Sequence, residues 1–503
     1  MNITKKLPSP GKIVVLVLLA GILVYLLYWR WQVSQIRQFD VDEFSHLHWA
    51  AQVARGQRPY ADFFTYFSPG FMWVLTPIFW IYGVSWSVFT VARTVSFVIF
   101  LGMLGSLGYL FGITRGWKWA LLPVVILAFL PMPYDKFLEI RPDNLATLLA
   151  TLGVIGEVIA IQKKKNIWWV VSGFFYGLSL LFLIKMAPFV IVGIGIAGWV
   201  SYQRKITQGL TSIVGGLLIP LAGLFSWSVL TGTMHAMWRA LLITPVEIFT
   251  HLNDFMAASL FFHPNSAFYG GNGQTITAGL VVNHALWICA IFVGTYRVLT
   301  PYVKARGNTE GVQTEILLAL TFLLVACGYV KFFPSKYSQY LIPVAVFVAY
   351  YAADGISLFF DWLERAGGYA SLVIVIGGCV YILGAVTLSV NVQKLNFTNV
   401  GQRVEFEQLV RTVPLSARVV DLDGRMLFWA NGYPACCLPF DYYLPYVTNA
   451  PQSLALYLPA HPADYLYDGE GTRLAMLSFE SLAYVRSHFV PVAGWGERLW
   501  KRL

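Results

Sequence analysis

Three carboxylates and two histidines, Asp40, Asp42, Glu43, His46 and His48, crowd into one short stretch of a chain that otherwise avoids charge. A carboxylate held where water meets an apolar medium can take a proton from an incoming hydroxyl, provided its neighbours keep its pKa in a useful range. From Asp42 onward, Phe44, Leu47, Ala51 and Ala54 recur at helical spacing, while Asp42 and His46 stand one turn apart on another face. That pattern predicts a helix lying in a membrane surface, its acidic end beside the apolar run that precedes it. The same acids would also suit the positive end of any helix N-terminus, so both readings stay open. Asp40-Val41-Asp42 has the Asp-x-Asp form in which two carboxylates, with His46, could hold Mg²⁺ or Mn²⁺. Three residues are a weak signal, and the metal is left open.

The elements that must carry such groups are apolar. Of the 503 residues, 57% are hydrophobic, 16% aromatic and 12% charged, against about 25% charged in a soluble domain. The composition is that of a polytopic membrane protein. A net charge of +10 arises from short basic clusters scattered between apolar runs, which is how loop charges orient a membrane protein and not how a nucleic-acid surface is built. Cys289, Cys327 and Cys379 lie in apolar runs and Cys436-Cys437 are adjacent, which predicts neither a disulfide framework nor metal-ligand spacing.

Runs of spanning or near-spanning length fall at 12–30, 88–113, 118–133, 142–162, 167–184, 186–202, 209–230, 276–297, 313–330, 340–360 and 370–391, about eleven in all. The first lacks a small-residue cleavage site and reads as a retained signal anchor. The stretch 69–83, bounded by Pro69-Gly70 and Gly83, is short and reads as re-entrant. With that reading, Lys5, Lys6, Lys12, Arg115, Lys118, Lys163-Lys164-Lys165, Arg204-Lys205, Arg297, Lys304, Arg306 and Arg365 all face the cytoplasm of a plasma-membrane protein. The opposite side receives 32–87, 134–141, 231–275, 331–339 and the tail 392–503. The outer loop 231–275 has an amphipathic part, 234–252, and a Gly- and Asn-rich part, 265–274. The tail, with a helix expected over 401–412, a strand at 418–422 and a turn at Asp423-Gly424, reads as a small extracytoplasmic α/β domain beside a membrane domain of 1–391.

Polar residues that a bilayer disfavours gather near that outer side. Arg93 lies one turn inside its span, Arg141-Pro142-Asp143 opens another, Lys185 interrupts an apolar run, and Lys331 and Lys336 place cations where the charge bias would leave few. Snorkelling accounts for Arg93 and Lys185 equally well, and helix capping for Pro142 and Asp143. Together with His46, these cations suit an anionic phosphate on a lipid tail.

Asp42-Glu43 after the first span, Gly56-Gln57-Arg58-Pro59-Tyr60-Ala61-Asp62-Phe63-Phe64 with Pro69-Gly70, Arg93, Arg141-Pro142-Asp143 and Lys185 together resemble the GT-C glycosyltransferases. The nearest branch is that of the bacterial relatives of protein O-mannosyltransferases and of the lipid A aminoarabinose transferase. The likeness is good over the first 200 residues or so, looser from 209 to 391, and negligible in the tail. It implies an all-α membrane enzyme that moves a sugar from a polyprenyl-phosphate carrier, with inversion, to a glycan, lipid or protein hydroxyl. Carried over by position, Asp42 is the base with Glu43 beside it, Asp143 the second-loop acid, and Arg93 and Lys185 recurrent basic positions. One departure matters: relatives carry His-Lys-Pro-Pro where this chain has Tyr66-Phe67-Ser68-Pro69, so Lys185, Arg141 or Lys336 must serve the phosphate, or the donor is handled differently. The alternative is a transporter or flippase of a lipid-linked sugar, for which inverted symmetry and charges near mid-membrane are expected and not seen.

Overall fold

The computed structural model describes residues 10–205, 207–255, 278–304, 309–332, 338–437, 444–448 and 450–503. The apolar runs become helices: α1 Pro10–Ile36, α4 Ser87–Arg115, α5 Leu121–Phe129, α6 Pro142–Lys163, α7 Asn166–Phe182, α8 Ala187–Gln203, α9 Gln208–Leu230, α11 Ala278–Lys304, α12 Thr309–Phe332 and α13 Ile342–Lys394. Between α1 and α4 lie α2 Val41–Ala54 and α3 Gly70–Tyr82, and the loop after α9 contains α10 Thr244–Phe255. The Gly- and Asn-rich part of that loop, 265–274, lies outside the described residues. The protein is an all-helical polytopic membrane protein with a small C-terminal α/β domain.

Among the described residues, eight helices are long and apolar enough to cross a membrane. One of them, α13, is two helices joined at Gly368, whose φ of 70° only glycine adopts without strain. Two expected spans are shorter than their apolar runs. The run at 118–133 yields only α5, because Pro131 and Pro133 cannot continue a helix. The 17 residues of α7 reach about 25 Å. The 13 residues of α3 reach about 20 Å, against an apolar thickness of about 30 Å.

Close packing substitutes for the missing hydrophobic drive between helices in lipid. At the α7–α9 crossing a Cβ on Gly173 would fall 1.9 Å from the Ile213 carbonyl oxygen, and one on Gly216 2.1 Å from that of Val170. At one end of the bundle Arg115 joins Glu315 and Asp354, Arg297 reaches Asp354 at 2.7 Å, and Lys118 reaches Asp361 and Glu364. The acidic stretch lies at the other end.

There the short α5 stops and the chain turns through 130–141 before α6. The last carbonyls of α5 have no helical partner, and Arg30 of α1 supplies one. Its guanidinium donates to the carbonyls of Leu127, Ala128, Leu130 and Tyr134 and lies 3.9 Å over the Tyr134 ring.

The C-terminal domain contains α14 Val400–Thr412, α15 Phe479–His488 and five short strands: β1 Arg418–Asp421, β2 Ala430–Asn431, β3 Tyr465–Tyr467, β4 Phe489–Pro491 and β5 Leu499–Arg502. Their order is β2-β1-β3-β5-β4, with β1 parallel to β2 and β3 and the β3–β5 and β4–β5 pairs antiparallel. The domain has apolar clusters of its own, while Phe406 and Leu427 pack into the core of the helical bundle.

Candidate functional site

The helix predicted after Asp42 is α2, and Asp40 caps it. The Asp40 side chain accepts from the Asp42 N–H while the Glu43 carboxylate accepts from the Asp40 N–H, a reciprocal capping box. Asp42 therefore lies in the first turn and projects away from the cap. Its side chain is 44% exposed, and its Oδ2 accepts from Nη1 and Nη2 of Arg141 at 2.8 and 2.7 Å.

Arg141 is the N-cap of α6, with Pro142 at the first helical position as expected. From it a chain of alternating charge extends: Arg141 Nε is 3.9 Å from Asp143 Oδ2, and Asp143 Oδ1 is 3.8 Å from Lys185 Nζ. Lys185 sits in the 3₁₀ turn between α7 and α8, 20% exposed, with its ammonium 4.1 Å over the Tyr340 ring. Asp143, Lys185, Met186, Pro188, Val325, Gly328, Tyr340 and Pro343 line a small cavity of about 30 Å³. Three helices begin at its wall, α6, α8 and α13, each with a proline among its first two residues, Pro142, Pro188 and Pro343. Helix N-termini bring positive partial charge and N–H groups to one place, which favours an anion.

Beneath Asp42 the ionic network is saturated. Glu139, fully buried, accepts from Arg37, Lys136 and Arg141 between 2.8 and 3.0 Å, and Lys136 also reaches Asp40 at 3.1 Å. Asp135 pairs with Lys394 at the end of α13. Burial alone would lower the Lys136 pKa, but Glu139 and Asp40 together raise it.

Two expected site residues stand elsewhere. Glu43 is 0% exposed and accepts from Arg93 Nε and Nη2 and from the N–H groups of Asp40 and Ile140. Burial would raise its pKa, and Arg93, then Arg37, more than reverse this and hold it low. Arg93 spends all five of its N–H donors on Glu43 and on the carbonyls of Ser34, Arg37 and Gln38, which leaves none for a phosphate. Its guanidinium also lies 3.7 Å over Phe39. The pair stitches α2 to α4 and to the end of α1.

His46 lies one turn from Asp42 but is buried, edge-on to Trp49, Phe67 and Phe71. Burial first, then the charges of Arg141 and Lys185, hold its pKa well below the usual 6.5, so the ring is neutral. Lys336 lies outside the described residues. The Asp-x-Asp pair does not converge: Asp40 faces the helix cap and Lys136, and Asp42 faces Arg141. Among the described residues, His48, Cys436 and Cys437 come together, but the two sulfurs are bonded to each other and offer no thiolate to a metal. The sequence showed no disulfide framework, and to that the structure adds one bond, between the adjacent Cys436 and Cys437.

Sequence alone gives no further relative: no family profile matches the chain, and no curated protein does. Its architecture, however, has counterparts. ArnT from Cupriavidus metallidurans in the apo state has a TM-score of 0.55 at 13% identity, over 81% of this chain and 83% of that one. The same protein bound to undecaprenyl phosphate gives 0.54 at 14%, over 82% and 84%. The Archaeoglobus fulgidus oligosaccharyltransferase tethered with an acceptor peptide containing the NVT sequon gives 0.52 at 10%, over 94% of this chain and 72% of that one.

This is the GT-C glycosyltransferase fold. Within it, sequence reasoning named Asp42, Arg141, Asp143 and Lys185, and the structure brings these four into one connected group. It passed over Glu139 as a possible centre of the network, and it missed Tyr340. Glu139 had a local signal, its place two residues before Arg141. Tyr340 had none, since its nearness to Lys185 arises only when α13 packs beside α8.

Proposed function

We propose that this GT-C protein is an inverting glycosyltransferase that takes a sugar from a polyprenyl-phosphate carrier and passes it to a hydroxyl of a glycan, lipid or protein. The observation that carries the reading is the chain Asp42, Arg141, Asp143, Lys185, which runs from an accessible carboxylate to cations on a cavity ringed by helix starts. The phosphate of the donor would lie against Lys185 and Arg141. Of the two Asp42 oxygens Arg141 engages Oδ2 alone, so a phosphate that competes for the guanidinium leaves the carboxylate able to accept a proton. The acceptor oxygen bonds to the sugar's anomeric carbon from the face opposite the phosphate, its proton passes to Asp42, and the carbon–oxygen bond to phosphate breaks. Lys185 and Arg141 stabilise the charge gathered on the departing polyprenyl phosphate. His46, neutral and one turn away, packs against Trp49, Phe67 and Phe71 and takes no part in the transfer. Glu43 and Arg93 hold α2 in place and take no proton.

The site and the C-terminal domain are placed on the extracytoplasmic side of the plasma membrane, a reading supported by the basic helix ends gathered at the opposite end of the bundle. A divalent cation at Asp40 and Asp42 would have to displace Lys136 and Arg141, so the reaction is written without one. The relatives of the same fold support the donor class, since one is bound to undecaprenyl phosphate. The test is to incubate purified protein with a radiolabelled polyprenyl-phosphate sugar and candidate acceptors. Release of carrier phosphate that depends on an acceptor is expected. Movement of intact donor across a vesicle without release would instead identify a flippase.

A further inference from the structure

Among the described residues, the C-terminal domain contributes none to the cavity, yet its polar contacts follow the loop that carries Asp42 from end to end. The Gln38 N–H donates to the Phe397 carbonyl at 2.8 Å, and Asn399 donates from its own N–H to Ile36 and from its side chain to Gln35, both at 2.8 Å. Gln402 grips the backbone of Phe39 in both senses, accepting its N–H at 2.7 Å and donating to its carbonyl at 3.0 Å. His48 Nδ1, midway along α2, is 3.3 Å from Asp421 Oδ2, and Gln52 holds the other ring nitrogen at 3.1 Å. Arg55, at the end of α2, donates to the Leu427 carbonyl, and the Phe64 N–H donates to the Pro434 carbonyl at 2.7 Å.

We infer that the C-terminal domain is a splint for α2, with Gln402, Asp421 and His48 as positioning residues that set where the Asp42 carboxylate stands. A helix is stiff, so two fixed points fix its course and its rotation. Phe39 lies just before the cap and His48 beyond it, with Asp42 between them. The receptor on the domain side is itself rigid: Asp421 ends β1 and accepts from the N–H groups of Asp423, Gly424 and Met426, so His48, in ion-pair contact with its Oδ2 at 3.3 Å, meets an immobile carboxylate. Lys185 on the cavity wall and Arg141 near it sit before α8 and at the cap of α6, which the splint does not hold. Loosening it should therefore move the base against a donor that still binds. A displacement of about 1 Å at a reacting group can cost about a hundredfold in rate.

The effect on rate rests on the glycosyltransferase reading; the effect on α2 does not. Gln402→Leu and His48→Leu, singly and together, are compared with wild type by amide hydrogen exchange and by transfer assay. Exchange over 41–54 is expected to rise at least tenfold in the double variant, while that of β1, β3 and β5 is unchanged. The rate at saturating donor should fall tenfold or more with the donor KM unaltered, and His48→Asn, whose amide can donate from the place of Nδ1, should recover most of the loss. Unchanged exchange in α2 overturns the inference, as does faster exchange with an undiminished rate or a loss that lies entirely in donor KM. A wild-type protein without transferase activity would overturn the proposed function alone, and the exchange measurement would still decide the splint.

Discussion

Asp42 and Glu43 are neighbours of like chemistry, and the structure predicts opposite consequences for removing their charges. Asp42→Asn alters a side chain 44% exposed; its partner Arg141 is 5% exposed but keeps the Glu139 carboxylate at 2.9 Å, and the new amide oxygen can still accept from it, so the loss is about 1 kcal/mol. Folding should hardly change, whereas loss of a positioned base should slow transfer by about 10²- to 10⁴-fold. Glu43→Gln acts on a side chain with 0% exposure that accepts from Arg93 Nε, Arg93 Nη2 and the N–H groups of Asp40 and Ile140. The amide presents an NH₂ to groups that themselves donate and leaves the Arg93 charge uncompensated, which costs about 3–5 kcal/mol when a buried pair is broken. The assay is a pair of measurements on each purified variant: folded fraction after heating, and acceptor-dependent release of carrier phosphate per folded molecule. Asp42→Asn should be stable and inactive; Glu43→Gln should be unstable, with the surviving folded fraction retaining most of its activity. An active Asp42→Asn, or a stable but inactive Glu43→Gln, would refute the assignment of base and brace.

Other outcomes follow from the same geometry. Lys185→Met removes a cation from the cavity wall and should raise donor KM about ten- to a hundredfold, whereas Arg141→Lys, which loses the planar fork, should raise it about tenfold; titrating donor against initial rate separates them. His46 is held neutral when folded but takes a proton near 6.5 when unfolded, so protons favour the unfolded chain below that pH. Stability should fall as pH drops below 6.5, with a slope approaching about 1.4 kcal/mol per pH unit. Thermal unfolding followed from pH 7.5 to 5 should show this slope, and His46→Phe should lack it. Gly424 has φ +89°, and a Cβ there would meet Cys437 Sγ at 2.8 Å and the Phe44 carbonyl carbon at 3.1 Å. Gly424→Ala should therefore cost about 1–3 kcal/mol, read as a lowered melting temperature with weakened protection of α2.

The spans were legible because a long apolar run has few alternatives to a membrane helix, and the first helix after Asp42 because its apolar spacing is regular. Its cap had a signal that was not read: Asp40 followed three residues later by Glu43 is a capping-box pattern, which explains why Glu43 turns inward while Asp42 does not. What stayed hidden was the pairing of distant residues. Nothing near Glu43 in the chain announces Arg93, and nothing near His48 announces Asp421, because such contacts exist only after the helices and the C-terminal domain have packed. Arg93 looked like a phosphate ligand from sequence for the same reason: a buried cation is recognisable, but its partner is not. Adjacent cysteines gave no disulfide signal, since ordinary spacing rules describe pairs that staple separate segments.

Arg30 has a wider meaning than the closure of one helix end. In hydrocarbon a backbone that leaves its helix has no water to turn to, so chain reversals are normally confined to the membrane surface. By taking up four carbonyls at once, this single guanidinium lets the polypeptide double back after an α5 of only nine residues, short of a full span. The reversal sinks Glu139 and Arg141 into the protein, and with them the floor on which Asp42 rests. In the proposed reaction a substrate would be drawn down to Asp42, which suits a headgroup hung from a membrane-embedded tail far better than a solute arriving from bulk water.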